Sequence, residues 1–273
     1  MLAQSRYPGQ PVYAVTRSAA KAKHFAAQGL IPVIADWTDR RSLRSLPACA
    51  RTLVAVSHDR ASGISRFDSQ VGGMSNLLEH VTTQTDICYL STTGVYHQTD
   101  GLWVDETSPA RPAADGGKAH LHAESLLHRH RPRGAWTILR LAGIYGPGRI
   151  PRVADVINRR PIEGPNAGFL NLIHLEDAAL GIFAAWDRAD KQRLYVVADD
   201  MPVIRRRFYE QIAKLAGVGE VKFTTQSSTL PAASLSSRSA SNKRVWNRRF
   251  RRDLMPSMQF PNYVAGLEAI IGS

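Results

Sequence analysis

Two cysteines, Cys49 and Cys88, are all that the sequence contains, and both lie beside or within apolar runs. Such a pair reads as buried free thiols and excludes a disulfide framework. It suits a reducing cytoplasm, which is the expected location. No Cys/His spacing of the metal-binding kind occurs, so no metal site is expected. Nothing approaches the ~20 consecutive apolar residues of a membrane span, and the opening MLAQSRYPGQ lacks the apolar core of a signal peptide. Internal repeats are missing, and only the Ser/Ala-rich stretch Thr224 to Ser241 is compositionally biased. Acidic residues are few. Asp and Glu number 23 against 35 Lys and Arg, a net charge of +12 that points to an anionic partner. The charge is spread over Arg129 to Arg133, Arg205 to Arg207 and Lys243 to Arg252, and a solvated basic surface is the plainer reading of it. Without a helix-turn-helix, zinc or aromatic-stacking signature, nucleic acid is not the expected partner.

What the chain does have is alternation. Apolar, β-branched runs at Val12 to Thr16, Ile31 to Ala35, Thr52 to Ser57, Ile87 to Ser91, Trp136 to Leu141 and Arg193 to Ala198 read as strands. Helical patterns fall at Ser18 to Gln28, Ser65 to Thr83, Lys118 to His130, Arg152 to Arg159, Glu176 to Ala189, Met201 to Gly217 and Phe260 to Ile271, with a further strand at Phe169 to His174. Ser18 has the character of an N-cap and Gly29 of a stop. Strands alternating with helices imply parallel pairing through right-handed crossovers, hence a doubly wound α/β sheet. Runs that are apolar throughout suit strands buried on both faces. In such a sheet, ligands sit beyond the carboxyl ends of the strands. The residues there are Arg17, Asp36-Trp37, Ser57-His58, Thr92-Thr93 and Ala142-Gly143.

Five ordered segments carry a resemblance. STTGVY (Ser91 to Tyr96), GLWVDETSPARP (Gly101 to Pro112), LRLAGIYGPGR (Leu139 to Arg149), NLIHLEDAA (Asn171 to Ala179) and NKRVWNRRF with FPNYVAGL resemble segments of the extended short-chain dehydrogenase/reductase group. More narrowly, they resemble its atypical, NAD(P)-dependent epimerase/dehydratase-like branch. The resemblance implies a Rossmann-like dinucleotide-binding domain over residues 1–145, returning at about 175–200. Residues 146–174 and 201–273 would form a small C-terminal substrate lobe. It also implies a nicotinamide cofactor and a nucleotide sugar or related anionic, hydroxyl-bearing small molecule.

On that alignment Thr92, with Thr93 beside it, meets the substrate oxygen. Arg17 and Ser18 meet the adenosine ribose, where a basic residue suits a 2′-phosphate and so NADP rather than NAD. Asp36 touches the adenine amino group and Trp37 flanks the ring. Ser57 and His58 pass the pyrophosphate and ribose, and Leu141 and Gly143 line the nicotinamide side. Arg149, Asn171, Lys243 and Arg244 are the substrate-side candidates. The plainer alternatives stay open: a strand-end hydroxyl for Thr92, a surface arginine for Arg17, a strand-to-loop turn for Asp36-Trp37 and a loop residue for His58.

Two departures stand out. Only eleven residues precede Val12, the start of what resembles the family's second strand, so the first strand and the Gly-x-x-Gly-x-x-Gly turn are expected to be missing. Met1 to Arg6 would be the end of the first helix, with Pro8-Gly9 as the turn after it. The Tyr-x-x-x-Lys pair is absent as well. Aligning the helix on Ala123-Glu124 puts Gly116 at the tyrosine position and His120 at the lysine position. His120 is then the remaining acid/base candidate. Both a diverged epimerase or reductase and a non-catalytic binding protein fit these features. The helices at Ser65 to Thr83 and Lys118 to His130 would carry a homodimer contact by analogy.

Overall fold

The computed structural model describes residues 2–190, 192–224 and 242–272. The expected loop from Thr224 to Ser241 lies almost wholly outside them. The chain opens with α1 (Leu2–Arg6), turns at Gly9, whose φ is 77°, and enters β1 (Tyr13–Thr16). Ser18 caps α2 (Ala19–Ala27) by accepting from the Lys21 amide, and Gly29, at φ 73°, ends it before β2 (Ile31–Ile34). Then come β3 (Arg51–Val54), α3 (Gly73–His80) and β4 (Asp86–Thr92). A π-turn at Asp68–Gly72 precedes α3, and the ring of Trp37 packs against Gly73, where any Cβ would overlap the indole.

Next are β5 (Leu102–Val104), α4 (Asp115–His130), β6 (Trp136–Leu141), β7 (Gly143–Tyr145) and α5 (Val153–Ile157). They are followed by β8 (Ile162–Glu163), β9 (Phe169–Leu170), β10 (Leu172–His174), α6 (Leu175–Arg188), β11 (Arg193–Val197) and β12 (Val203–Ile204). The described chain closes with α7 (Arg205–Leu215), β13 (Phe223–Thr224), β14 (Lys243–Val245), α8 (Arg248–Asp253) and α9 (Tyr263–Ile271).

The main sheet has the order β11-β6-β4-β3, all parallel. Side chains alternate across it. Ile87 and Tyr89 of β4 and Trp136 and Ile138 of β6 enter one core with Leu77, Ala123 and Leu127 of α3 and α4. Cys88, Leu139 and Leu141 enter the opposite core with Ala178, Ala184 and Ala185 of α6. Burial on both faces is what the unbroken apolar runs anticipate, and the fold is the expected α/β type. β1 and β2 form a separate parallel pair. They share the first core through Val33, but no described strand pairs with the other edge of β1 or with the other edge of β3. A further core of Tyr145, Leu172, Phe208, Ile212 and Leu267 gathers α7, α9, β7 and β10.

Two elements differ from their sequence reading for long-range reasons. The run Phe169 to His174 splits at Asn171. That side chain donates to the Lys243 carbonyl (2.9 Å) and accepts from the Val245 amide (2.9 Å), so it clamps β14. The helix read from Met201 starts only at Arg205, because Val203 and Ile204 pair with β9.

Candidate functional site

The carboxyl end of β4 is held by a buried polar network. Ser91 Oγ donates to Glu124 of α4. Arg140 of β6 grips the same carboxylate with Nε (3.0 Å) and Nη2 (2.6 Å), and its Nη1 donates to the Tyr96 hydroxyl (2.9 Å). All four residues are buried. Burial would lower the Arg140 pKa, but the Glu124 carboxylate outweighs it and raises it. Three elements and the segment after the Thr93–Val95 turn are thereby tied together next to Thr92. The Thr92 Oγ1 accepts from the Gly94 amide (3.0 Å), which leaves its own proton free to donate outward. Thr93, half-buried, starts the turn Thr93–Val95 beside it.

The amino-terminal turn of α4 comes next to this end. Gly117 abuts the carbonyl of Gly94, and no side chain fits between them. A Cβ on Gly116 would stand 3.4 Å from a guanidinium nitrogen of Arg66. His120, one helical turn on, is not turned outward as a free base. Its Nδ1 shares a hydrogen bond with the Tyr89 hydroxyl (2.7 Å), and burial holds its pKa down. Neither Arg66 nor the Glu124–Arg140 pair was singled out in the sequence. A lone arginine inside the apolar run of β6 was the available signal for the pair, since a buried charge demands a partner. Arg66 lies in a polar stretch that carries no such signal.

On the side expected to meet a dinucleotide, Arg17 is ion-paired with Asp59 (2.6 Å) and approaches Asp36 (3.6 Å). Asp36 accepts from the Thr38 amide and hydroxyl. Burial alone would raise its pKa, but Thr38 and Arg17 hold it below the usual carboxylate range. Ser18 is occupied as the α2 cap. Trp37 corrects an expectation: its indole is a core side chain, only 9% exposed and packed on Gly73, rather than a flank for an adenine ring. Ser57 is exposed. His58 bonds the Ile64 carbonyl through Nε2 (3.0 Å), while its buried Nδ1 has no partner among the described residues. Leu141 is buried in the α6-side core. The Gly143 amide donates to the Asn171 carbonyl (2.9 Å).

The substrate-side candidates do not converge. Arg149 is exposed in the loop after β7. Asn171 is consumed by its clamp on β14, which removes both its polar ends from a ligand. Lys243 is buried, and burial pushes its amine down to about 8. Arg244 donates to the Gly101 carbonyl (2.7 Å) and lies over the rings of Trp103 and Phe169. No cluster of three metal-ligating side chains gathers among the described residues. No described helix is long and apolar enough to cross a membrane.

Comparison with known proteins bears on the fold and the family. The Escherichia coli K12 protein YeeZ is 33% identical over 137 residues, 50% of this chain and 48% of YeeZ, so the chain spans about half the length of the curated relatives it matches. A functionally unknown conserved protein of Silicibacter pomeroyi DSS superposes with a TM-score of 0.75 at 28% identity, over 96% of this chain and 90% of that one. UDP-glucose 4-epimerase of Thermotoga maritima, solved with UDP-glucose, superposes at 0.79 with 14% identity, over 99% and 93%. The sequence profile of the NAD dependent epimerase/dehydratase family matches residues 2–198, and the chain belongs to that family.

Proposed function

We propose that the chain binds a nicotinamide dinucleotide and a nucleotide sugar or related hydroxyl compound across the carboxyl ends of β1, β3, β4 and β6. The observation that carries this reading is the unpartnered, buried Nδ1 of His58 just past β3. With Nε2–H donating to the Ile64 carbonyl, Nδ1 is an acceptor and suits a ribose hydroxyl. Arg17 is the residue for the adenosine end, and Thr92 is the donor that meets the substrate oxygen. A bound nicotinamide would supply hydride exchange with the carbon bearing that oxygen. With Gly116 at the tyrosine position and His120 tied to Tyr89, a proton donor of the family's usual kind is missing from α4. That favours the second reading, a protein that binds these ligands without turning them over.

The finer assignment is NADP. Arg17 takes a 2′-phosphate by exchanging it for the Asp59 carboxylate. Calorimetric titration of the full chain with NADPH, NADH and UDP-glucose tests both readings. Saturable binding of a dinucleotide supports them, and turnover of UDP-glucose with bound cofactor separates the enzyme from the binder. No dinucleotide binding at millimolar concentration overturns both.

A further inference from the structure

Arg66 takes no part in the reading above. It precedes the π-turn, is half-buried, and makes no hydrogen bond or ion pair among the described residues. Its guanidinium stands beside the place of a side chain on Gly116: an added Cβ would lie 3.4 Å from Nη1, 3.5 Å from Cδ and 3.7 Å from Cζ. On the alignment of α4, that is the place of the family's tyrosine. A Cβ there would meet Arg66 at ordinary van der Waals distances, so with glycine in the chain the guanidinium lines this place. Among the described residues no carboxylate comes within ion-pair distance of it. Asp115 is turned to Lys118 (3.7 Å), Asp68 takes the Ser65 hydroxyl (2.6 Å), and His122 lies against Phe67. The wall is continuous from Arg66 to Gly116-Gly117, to the Gly94 carbonyl, and to Thr92 through the Gly94 amide.

A guanidinium cannot replace tyrosine as a proton donor, because it stays protonated throughout the accessible pH range. What it does well is grip a planar anion through two parallel N–H donors. Arg66 supplies one positive charge with no ion-pair partner among the described residues. A carboxylate matches that charge, whereas a phosphate monoester brings about −1.5 to −2. We propose that Arg66 is a specificity residue that binds a carboxylate on the sugar whose hydroxyl meets Thr92, so that the chain prefers an acidic, uronic-type nucleotide sugar to a neutral one. This rests on the nucleotide-sugar reading above.

UDP-glucuronate and UDP-glucose test it, since they differ in a carboxylate against a hydroxymethyl group. Calorimetry on the full chain is expected to give about tenfold or tighter binding of UDP-glucuronate. Arg66→Ala should bring UDP-glucuronate down to the affinity of UDP-glucose. Arg66→Lys should recover only part of the gap, because the charge remains but the fork is lost. Equal affinities for the two sugars, or parallel loss of both in Arg66→Ala with an unchanged circular dichroism spectrum, overturn the proposal. If neither nucleotide sugar binds, the nucleotide-sugar reading falls, and Arg66 is judged with free D-glucuronate at millimolar concentration by ligand-observed NMR. Binding that Arg66→Ala abolishes upholds the carboxylate site, and no binding to the unmodified chain rejects it.

Discussion

Single residues decide how rigid the end of β4 is. Glu124 and Arg140 are buried together, and both carboxylate oxygens of Glu124 receive N–H bonds from the Arg140 guanidinium. Removing one partner of such a pair costs about 3–5 kcal/mol, while replacing both by apolar groups costs far less. Glu124→Ala should therefore lower the thermal midpoint sharply, and Glu124→Leu with Arg140→Met should recover most of the loss. Calorimetric melts of the three proteins check this, and an additive double variant would mean that the two residues do not form one unit. Arg17 poses a different question, because it already has Asp59 at 2.6 Å and Asp36 at 3.6 Å. A 2′-phosphate must compete with two carboxylates. Asp59→Asn frees the guanidinium and removes a repelling charge, so NADPH binding should tighten while NADH binding stays nearly level. Equal effects on the two dinucleotides would place Arg17 away from the 2′ position.

At the scale of elements, Ser18 and α4 make separate claims. Ser18 caps α2, so Ser18→Ala should cost about 1 kcal/mol and Ser18→Asn little. Urea melts distinguish this from a pure ligand role, in which stability without ligand would not change. On α4, His120 against Tyr89 and His128 against Trp136 are both pushed by burial below the ordinary 6.5. As pH falls through about 6.5, the unfolded chain takes up protons that the folded chain refuses, so their contribution is present above that pH and is lost below it. The thermal midpoint should drop between pH 7.5 and 5.5, and His120→Gln with His128→Gln should flatten the slope. A slope unchanged by both substitutions would rule α4 out as its source. Much of this layer was legible in the sequence. β6 was read at its observed limits, because a strand buried on both faces announces itself as one apolar run. The break at Asn171 was not legible, since it depends on backbone 72 residues away. Arg66 beside Gly116 was hidden for the same reason: one belongs to the approach to α3, the other to α4, and only packing brings them together.

For the whole molecule, the sheet is the controlling feature. β1 pairs only with β2, and β3 only with β4, so one edge of each has no described partner strand. Arg17 ties the β1 end to Asp59 beyond β3, and Val33 and Val54 share a core, so the two sheets belong to one body. Around them apolar side chains remain in solvent: Val15 at 50%, Ile31 at 44%, Ile34 at 53%, Leu53 at 40% and Val56 at 41% exposed. Four of them lie on β1, β2 and β3 and Val56 follows β3, and exposed apolar side chains beside open strand edges recruit strands of other chains. The chain as written should bind an apolar dye such as ANS, and its light scattering should grow with concentration. Val15→Lys with Leu53→Lys should reduce both signals without altering the circular dichroism spectrum, because charged side chains at exposed strand positions oppose edge pairing while the buried cores are untouched. Dye binding that persists in this variant would place the exposed apolar surface elsewhere. A chain that neither binds dye nor self-associates would mean that these strands are covered in solution, and the open edges of β1 and β3 would then have to be paired with each other or with another strand.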